Sequence, residues 1–243
     1  MTRFFVTKEE LQPNFLLLTG ENLAHARVLR LKNGEQVLLC DGEGTECLCT
    51  VSDVSANGIS LVVMERRDSG TEAKISVSVY VAFSKGDKLE HVIQKATELG
   101  AYEIAAFPSA RCVSRPDAKS LQKKLERWQK IAAAAAEQSG RGRIPAVRVC
   151  ESYGQAVSQA AKADKAILFY ENEQATTLKM TLEAGEFATV SLLTGPEGGL
   201  EPGEVEQARA AGLAVCTLGR RILRCETAPL CALSAVMYAA GEF

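Results

Sequence analysis

Two histidines and no CxxC pair leave this chain poorly equipped for a metal centre, and none is expected. Its eight cysteines occupy positions 40, 47, 49, 112, 150, 216, 225 and 231, several in contexts such as LAVCTL that alternate like core strands. Reduced, buried thiols of a cytoplasmic protein are therefore expected. No apolar run approaches the ~18 residues of a membrane span. The start, MTRFFVTKEE, lacks the profile of a signal peptide. Aromatic residues are only 6% of the chain. They are sparse in its basic segments, so base stacking is not the expected main source of affinity for a nucleic acid.

Net charge is nearly absent too, at −2, but its distribution is uneven. Residues 1–73 carry 7 basic and 11 acidic side chains, and residues 74–243 carry 21 and 19. Between Arg111 and Arg148, ten basic residues face three acidic ones. Such an excess suits a polyanion. The same stretch, with KSLQKKLERWQK, also reads as an amphipathic helix with a solvated face, and both readings stand on charge alone.

The pattern divides the 243 residues in two. Over residues 1–70, the runs RFFV, QVLLCDG, ECLCTVSDV and GISLVVMERR are short and strand-like, separated by turn segments such as DGEGTE and SANG. Hairpins closing into a small β-barrel are predicted, with a short helix or turn at ENLAHARVLRLKNG. RDSGTEAK reads as a linker. From residue 74 to 243 strands and helices alternate: KISVSVYVAF, LEHVIQKATEL, YEIAAF, a long helix over about 119–138, AVRVC, SYGQAVSQAAK, KAILFY, a helix from about Gln174, and ATVSLL. A helix after the next loop, the strand LAVCTL and a last helix over about 228–240, with Thr227 as its N-cap, complete the series. This alternation predicts a mostly parallel sheet covered by helices, an α/β domain.

TGPEGGLEPGE, residues 194–204, joins a predicted strand to a predicted helix. Its glycines permit positive φ and let backbone N–H groups approach a ligand, but a tight turn without a ligand uses the same residues. No Lys-Ser/Thr pair follows and GxGxxG is absent, which argues against a phosphate grip. LGRRILRCET leaves a second strand at its carboxyl end, where open parallel sheets bind ligands. Two such loops point to one shared pocket.

TGPEGGLEPGEVEQA and LGRRILRCETAPLCALSAV resemble the carboxyl-terminal signature of the RsmE family, 16S rRNA uridine-N3 methyltransferases of the SPOUT (trefoil-knotted) class. HARVLRLKNGEQVLLCDGEG, KGDKLEHVIQKATELG and AAAEQSGRGRIP resemble its other segments in order, so the similarity spans nearly the whole chain. The resemblance implies an N-terminal PUA-like β-barrel domain, a knotted α/β methyltransferase domain, S-adenosylmethionine held in the knot loops, and a homodimer. Two departures are noted: Arg220 where a proline can occur, and Cys225 within the RxET segment.

That resemblance assigns roles. Leu193, Thr194, Gly195, Gly198 and Gly199 are expected on one side of the cofactor, and Leu218, Gly219, Ile222, Leu223 and Thr227 on the other. Tyr170 is either a third wall or an aromatic at the edge of the core. Uridine N3 carries a proton and is a poor nucleophile while neutral, so charge developing over O2, N3 and O4 needs stabilising. Arg224 is the first candidate for this, its guanidinium offering several donors. Glu197 and Glu226 are the candidate proton acceptors, with structural alternatives: Glu197 holding its loop, Glu226 capping the last helix. Arg27 and Arg30 on the barrel, and Arg111, Arg115, Arg141 and Arg143 on the catalytic domain, are candidate RNA contacts. The implied partner is the decoding region of 16S rRNA, in the small subunit. Two other functions fit the same features: a knotted methyltransferase acting on a ribose 2′-hydroxyl or a tRNA, and a non-catalytic RNA-binding assembly protein.

Overall fold

The computed structural model describes residues 1–117 and 119–243. The chain forms two compact units: residues Met1–Glu72 with Ala136–Ile144, and Ala73–Ala135 with Pro145–Phe243.

The first unit holds β1 (Thr2–Phe5), β2 (Phe15–Leu18), α1 (Gly20–Val28), β3 (Gln36–Cys40), β4 (Thr45–Val54) and β5 (Ile59–Asp68). They form one five-stranded sheet in the order β1-β3-β4-β5-β2, antiparallel except for the β1–β3 pair. Alternating residues supply the core, among them Phe4, Leu18, Val37, Leu39, Cys47, Val51, Ile59 and Leu61. Two bulges in β4–β5 interrupt the register and increase local twist. Arg3 and Glu46 form a buried ion pair at 3.1 Å, joined at the surface by Arg67. RDSGTEAK is less of a linker than its composition suggests. Arg67 and Asp68 end β5, and the Glu72 carboxylate accepts the N–H groups of Gly142 and Arg143 at 3.1 Å.

The second unit is a six-stranded, wholly parallel sheet in the order β11-β9-β10-β6-β7-β8. Its strands are β6 (Ser76–Ala82), β7 (Glu103–Phe107), β8 (Ala146–Val149), β9 (Lys165–Phe169), β10 (Thr189–Thr194) and β11 (Ala214–Cys216). They read as near-continuous apolar runs, as expected of a parallel sheet. Its helices are α2 (Lys88–Glu98), α3 (Ala118–Ser139), α4 (Tyr153–Ala160), α5 (Leu178–Glu183), α6 (Pro202–Ala210) and α7 (Thr227–Ala239). α2 buries Leu89, Val92, Ile93 and Ala96, and Gly100 at φ +90° ends its last turn. α7 packs on α2, β6 and β10.

Three expectations need correcting. The helix predicted from Gln174 begins at Leu178, because the Glu173 carboxylate first accepts the amides of residues 174–176 in a turn. Thr227 is the first residue of α7 and not its cap. The cap position belongs to Glu226, whose side chain makes no capping bond. Arg141 and Arg143, assigned to the catalytic domain, group with the first unit because their backbone and side chains bond to Glu72 and to the Glu43 carbonyl.

Candidate active site

The carboxyl ends of β9, β10 and β11 release three loops that close around one cavity of about 380 Å³, a size suited to a small organic cofactor. Phe169–Glu171 form one wall, Thr194–Gly199 a second, and Thr217–Cys225 with Ala228 a third. β10 lies between β6 and β9, and β11 pairs only with β9, so strand order departs from chain order where the cavity opens. That is where parallel sheets hold ligands.

Each glycine of the second wall has its own reason. A side chain on Gly195 would come within 3.0 Å of Leu200, and one on Gly198 within 3.2 Å of the Arg111 Cβ. Gly199 turns at φ +69°, and a methyl group there would overlap the Glu171 carboxylate. The glycines therefore let the loop fold tightly on its neighbours, leaving its backbone facing the cavity. Downstream, Glu204 accepts the Glu201 N–H at 2.9 Å and the Ala110 N–H at 2.8 Å, fixing the start of α6.

Of the predicted cofactor residues, Tyr170, Thr194, Gly195, Gly198, Gly199, Leu218, Gly219, Ile222 and Leu223 line the cavity. Leu193 and Thr227 do not. Leu193 is 0% exposed, enclosed in the sheet between Tyr80 and Leu168, and Thr227 faces solvent. Ile222, in contrast, is 86% exposed on the third wall, an apolar side chain with little protein to cover it.

The three candidate catalytic groups part company. Arg224 is exposed on the cavity wall, its side chain in no hydrogen bond or ion pair among the described residues though its charge acts on Glu226, while its carbonyl accepts the N–H groups of Thr227 and Ala228 at 2.9 Å and starts α7. Glu197 also lines the cavity, but it is committed. One of its oxygens accepts the Lys85 N–H at 3.0 Å and the Lys88 ammonium at 2.9 Å. Burial alone would raise its carboxyl. Those two donors outweigh burial and hold it below the usual range. Glu226 lies off the cavity lining, accepts from the Cys225 thiol at 3.2 Å, and stands 4.0 Å from the Lys88 ammonium. Its own amide and that thiol keep its carboxyl low. The Cys225 thiol is pushed up to about 12 by burial and by the Glu226 carboxylate, so it stays protonated.

The predicted RNA-contact arginines divide as well. Arg141 is only 4% exposed and is clamped by Glu72 at 2.5 Å, so its charge serves the fold. Arg143 is half-buried and donates to the Glu43 carbonyl. Arg27 donates to the Ala56 carbonyl and ties α1 to a hairpin turn. Arg111 donates to the Gly198 carbonyl at 3.1 Å, and Arg115 to the carbonyls of Ser109 and Ala110. Arg30 is different. It is exposed, its side chain has no partner among the described residues, and it ends α1 at φ +57°, the one non-glycine residue with positive φ among those described.

Sequence reasoning missed Glu171, Thr217, Arg220 and Arg221 on the lining. Applying the strand-end rule to KAILFY beyond Tyr170 would have reached Glu171. Arg220 and Arg221 lie in LGRRILRCET, where the apolar residues and Arg224 carry the sequence signal for a cofactor loop. The Lys88 contact joins residues 109 positions apart, and no local signal announces it.

The chain is similar in sequence and fold to known RNA methyltransferases. Residues 71–237 match a family model described as an RNA methyltransferase domain, and residues 18–64 match one described as an RNA methyltransferase PUA domain. The chain is 39% identical to the Bacillus subtilis ribosomal RNA small subunit methyltransferase E, over 98% of this chain and 96% of that protein. A crystal structure of the Neisseria gonorrhoeae ribosomal RNA small subunit methyltransferase E bound to S-adenosyl methionine superimposes with a TM-score of 0.85 at 28% identity, covering 98% and 97% of the two chains. A Legionella pneumophila protein described as a methyltransferase, in complex with its bound cofactor SAM, gives 0.85 at 30% identity over 98% of each.

Proposed function

The chain belongs to the ribosomal RNA small subunit methyltransferase E family, and on that premise we propose that it transfers a methyl group from S-adenosylmethionine to N3 of a uridine in the decoding region of 16S rRNA. The observation that carries the reading is the cavity at the ends of β9, β10 and β11, with the glycine loop on one wall and, on another, Arg224 in no side-chain hydrogen bond or ion pair among the described residues. The cavity fits the cofactor: its volume suits a nucleoside-sized molecule, and added side-chain bulk at Gly199 would collide with another wall. Backbone of residues 194–199 and 218–223 would hold it, with Leu218, Ile222 and Leu223 against its base. Once bound, it supplies an activated methyl group, so the protein need not provide an electrophile.

What the chain must supply is help for a weak nucleophile. Arg224 stabilises the negative charge that spreads over the uracil as N3 loses its proton. Glu197 and Glu226 share Lys88, and both are held low, which makes them poor acceptors of that proton and good anchors for the loops. Arg30 on the first unit, and separately Arg220 and Arg221 on the second, carry charges without hydrogen-bond or ion-pair partners among the described residues, available to RNA phosphates.

Further parts of the reading follow from the family resemblance. The last segment of the domain threads a loop to make a trefoil knot, the enzyme works in the cytoplasm as a homodimer, and its substrate is the rRNA within the small subunit. Exposed Tyr238 and Cys231 on α7 support a partner on that face. Nucleoside analysis of rRNA from a strain lacking this protein tests the chemistry. Loss of N3-methyluridine is expected. Loss of a ribose methylation would assign a different knotted methyltransferase, and an unchanged profile would leave a non-catalytic RNA-binding protein.

A further inference from the structure

Two carboxylates line the cavity, and they differ in what they already hold. Glu197 is occupied by Lys85 and Lys88. Glu171 is exposed to the cavity, and no donor reaches it from any described residue. Its carboxylate lies across Gly199, so close that any side chain there would overlap it. The peptide that presents it is fixed on both sides. The Tyr170 N–H donates to the Cys216 carbonyl at 3.1 Å. Two residues beyond Glu171, the Glu173 carboxylate accepts the amides of Gln174, Ala175 and Thr176 and the Arg209 guanidinium at 2.8–3.2 Å. A carboxylate on a backbone stretch anchored at both ends, without a donor among the described residues and on the lining of a cavity, is placed to receive hydrogen bonds from a ligand.

Topology says which donors. β9 lies beside β10 in a parallel pair, with Phe169 opposite Thr194, so Glu171 leaves the strand next to the one that carries the glycine loop. In dinucleotide-binding parallel sheets a carboxylate at the end of the strand beside the glycine loop takes a ribose hydroxyl. There it follows the loop in the chain and here it precedes it, but the strand adjacency is the same, and the two neighbouring O–H groups of a ribose match two carboxylate oxygens. We propose that Glu171 accepts hydrogen bonds from the ribose hydroxyls of the cofactor and so sets the position of the nucleoside in the cavity. The proposal rests on the cofactor reading given above and not on the identity of the methylated atom.

Calorimetry in the absence of RNA tests it. S-adenosylmethionine, S-adenosylhomocysteine and methylthioadenosine share the ribose. The second lacks the sulfonium charge, and the third also lacks the amino-acid portion. Glu171→Ala is expected to weaken all three by similar factors of about ten- to a hundredfold, the scale for a lost hydrogen bond to a charged group. Glu171→Gln, which keeps the shape and one acceptor, is expected to lose less, and it maintains the test if the alanine variant does not fold. A 2′-deoxy analogue of methylthioadenosine should bind the native protein more weakly than its parent, with most of that difference gone in Glu171→Ala. Unchanged methylthioadenosine affinity with weakened binding of the other two would assign Glu171 to the ammonium group and overturn the proposal. Weakening confined to S-adenosylmethionine would assign it to the sulfonium, and unaltered affinities would leave it a solvated side chain. Failure of the native protein to bind S-adenosylmethionine would overturn the cofactor reading itself, a result distinct from all of these.

Discussion

Arg224 lines the cavity, exposed, with no hydrogen bond or ion pair to its guanidinium among the described residues and only the field of the Glu226 carboxylate near it. Arg224→Ala is therefore expected to lower the single-turnover methylation rate by about 100-fold or more, with RNA and cofactor both saturating. Its affinity for S-adenosylmethionine, read by calorimetry, should stay within a fewfold of native. A normal maximal rate would reduce Arg224 to a binding residue. Arg30 poses the opposite balance of fold and function. It holds φ +57° at the end of α1, where its N–H donates to the Arg27 carbonyl and the next N–H donates to the Ala26 carbonyl. Glycine is the usual occupant of such a helix end, and a side chain there costs roughly 1–2 kcal/mol. Arg30→Gly should raise stability by about 1 kcal/mol in denaturant titration while weakening binding to small subunits and flattening its salt dependence. A variant that gains stability and keeps full RNA affinity would remove Arg30 from the interface.

Among the elements, the loop from Thr194 to Gly199 depends on contacts made far away in the chain. Glu197 secures it to Lys85 and Lys88 at the start of α2, and Arg111 secures it through the Gly198 carbonyl. The Glu197 carboxyl is depressed in the folded protein, so the stability it contributes is complete above the ordinary glutamate value of 4.5 and fades as pH falls through its folded value. Melting temperature should thus fall more steeply on acidification below about pH 4.5 in the native protein than in Glu197→Gln, and parallel curves would contradict the linkage. Gly199→Val should weaken cofactor binding, chiefly through its unfavourable φ of +69°, with the Glu171 carboxylate pushed aside as well. Gly198→Val should weaken binding indirectly, by displacing Arg111 and with it the loop. The loops themselves were legible, because strand, glycine and helix-start signals sit within a dozen residues of one another. Which way each glycine faces was not legible, since Arg111 and Glu171 reach it only in the folded sheet. The same limit explains Leu193 and Arg141: a residue next to a loop, or a charge in a basic stretch, reveals its burial only through partners distant in sequence. Helix starts failed more locally, where Glu173 and Glu226 took roles that the pattern gave to Gln174 and Thr227.

At the scale of the molecule, α/β alternation was readable from residue 74 onward, whereas strand order was not, because periodicity carries no information about which strand lies beside which. The final helix shows a related ambiguity. Its apolar residues Ala232, Leu233, Val236 and Met237 are spent inside their own unit, leaving Cys231 and Tyr238 outside. Light scattering at working concentration should nonetheless give the mass of a dimer, and Tyr238→Glu should shift it towards the monomer; a native monomer would end the dimer reading. The order β11-β9-β10 has one more consequence, concerning synthesis. The walls at Phe169–Glu171 and Thr194–Gly199 precede the wall at Thr217–Cys225 along the chain, and β11 joins the sheet only through β9. A nascent chain that has already laid down the first two walls still has an open groove, and closure waits for a segment that must pair back across the strand made two before it. A translation product interrupted before Thr217 therefore lacks the third wall, and the cavity is complete only once that segment has been made.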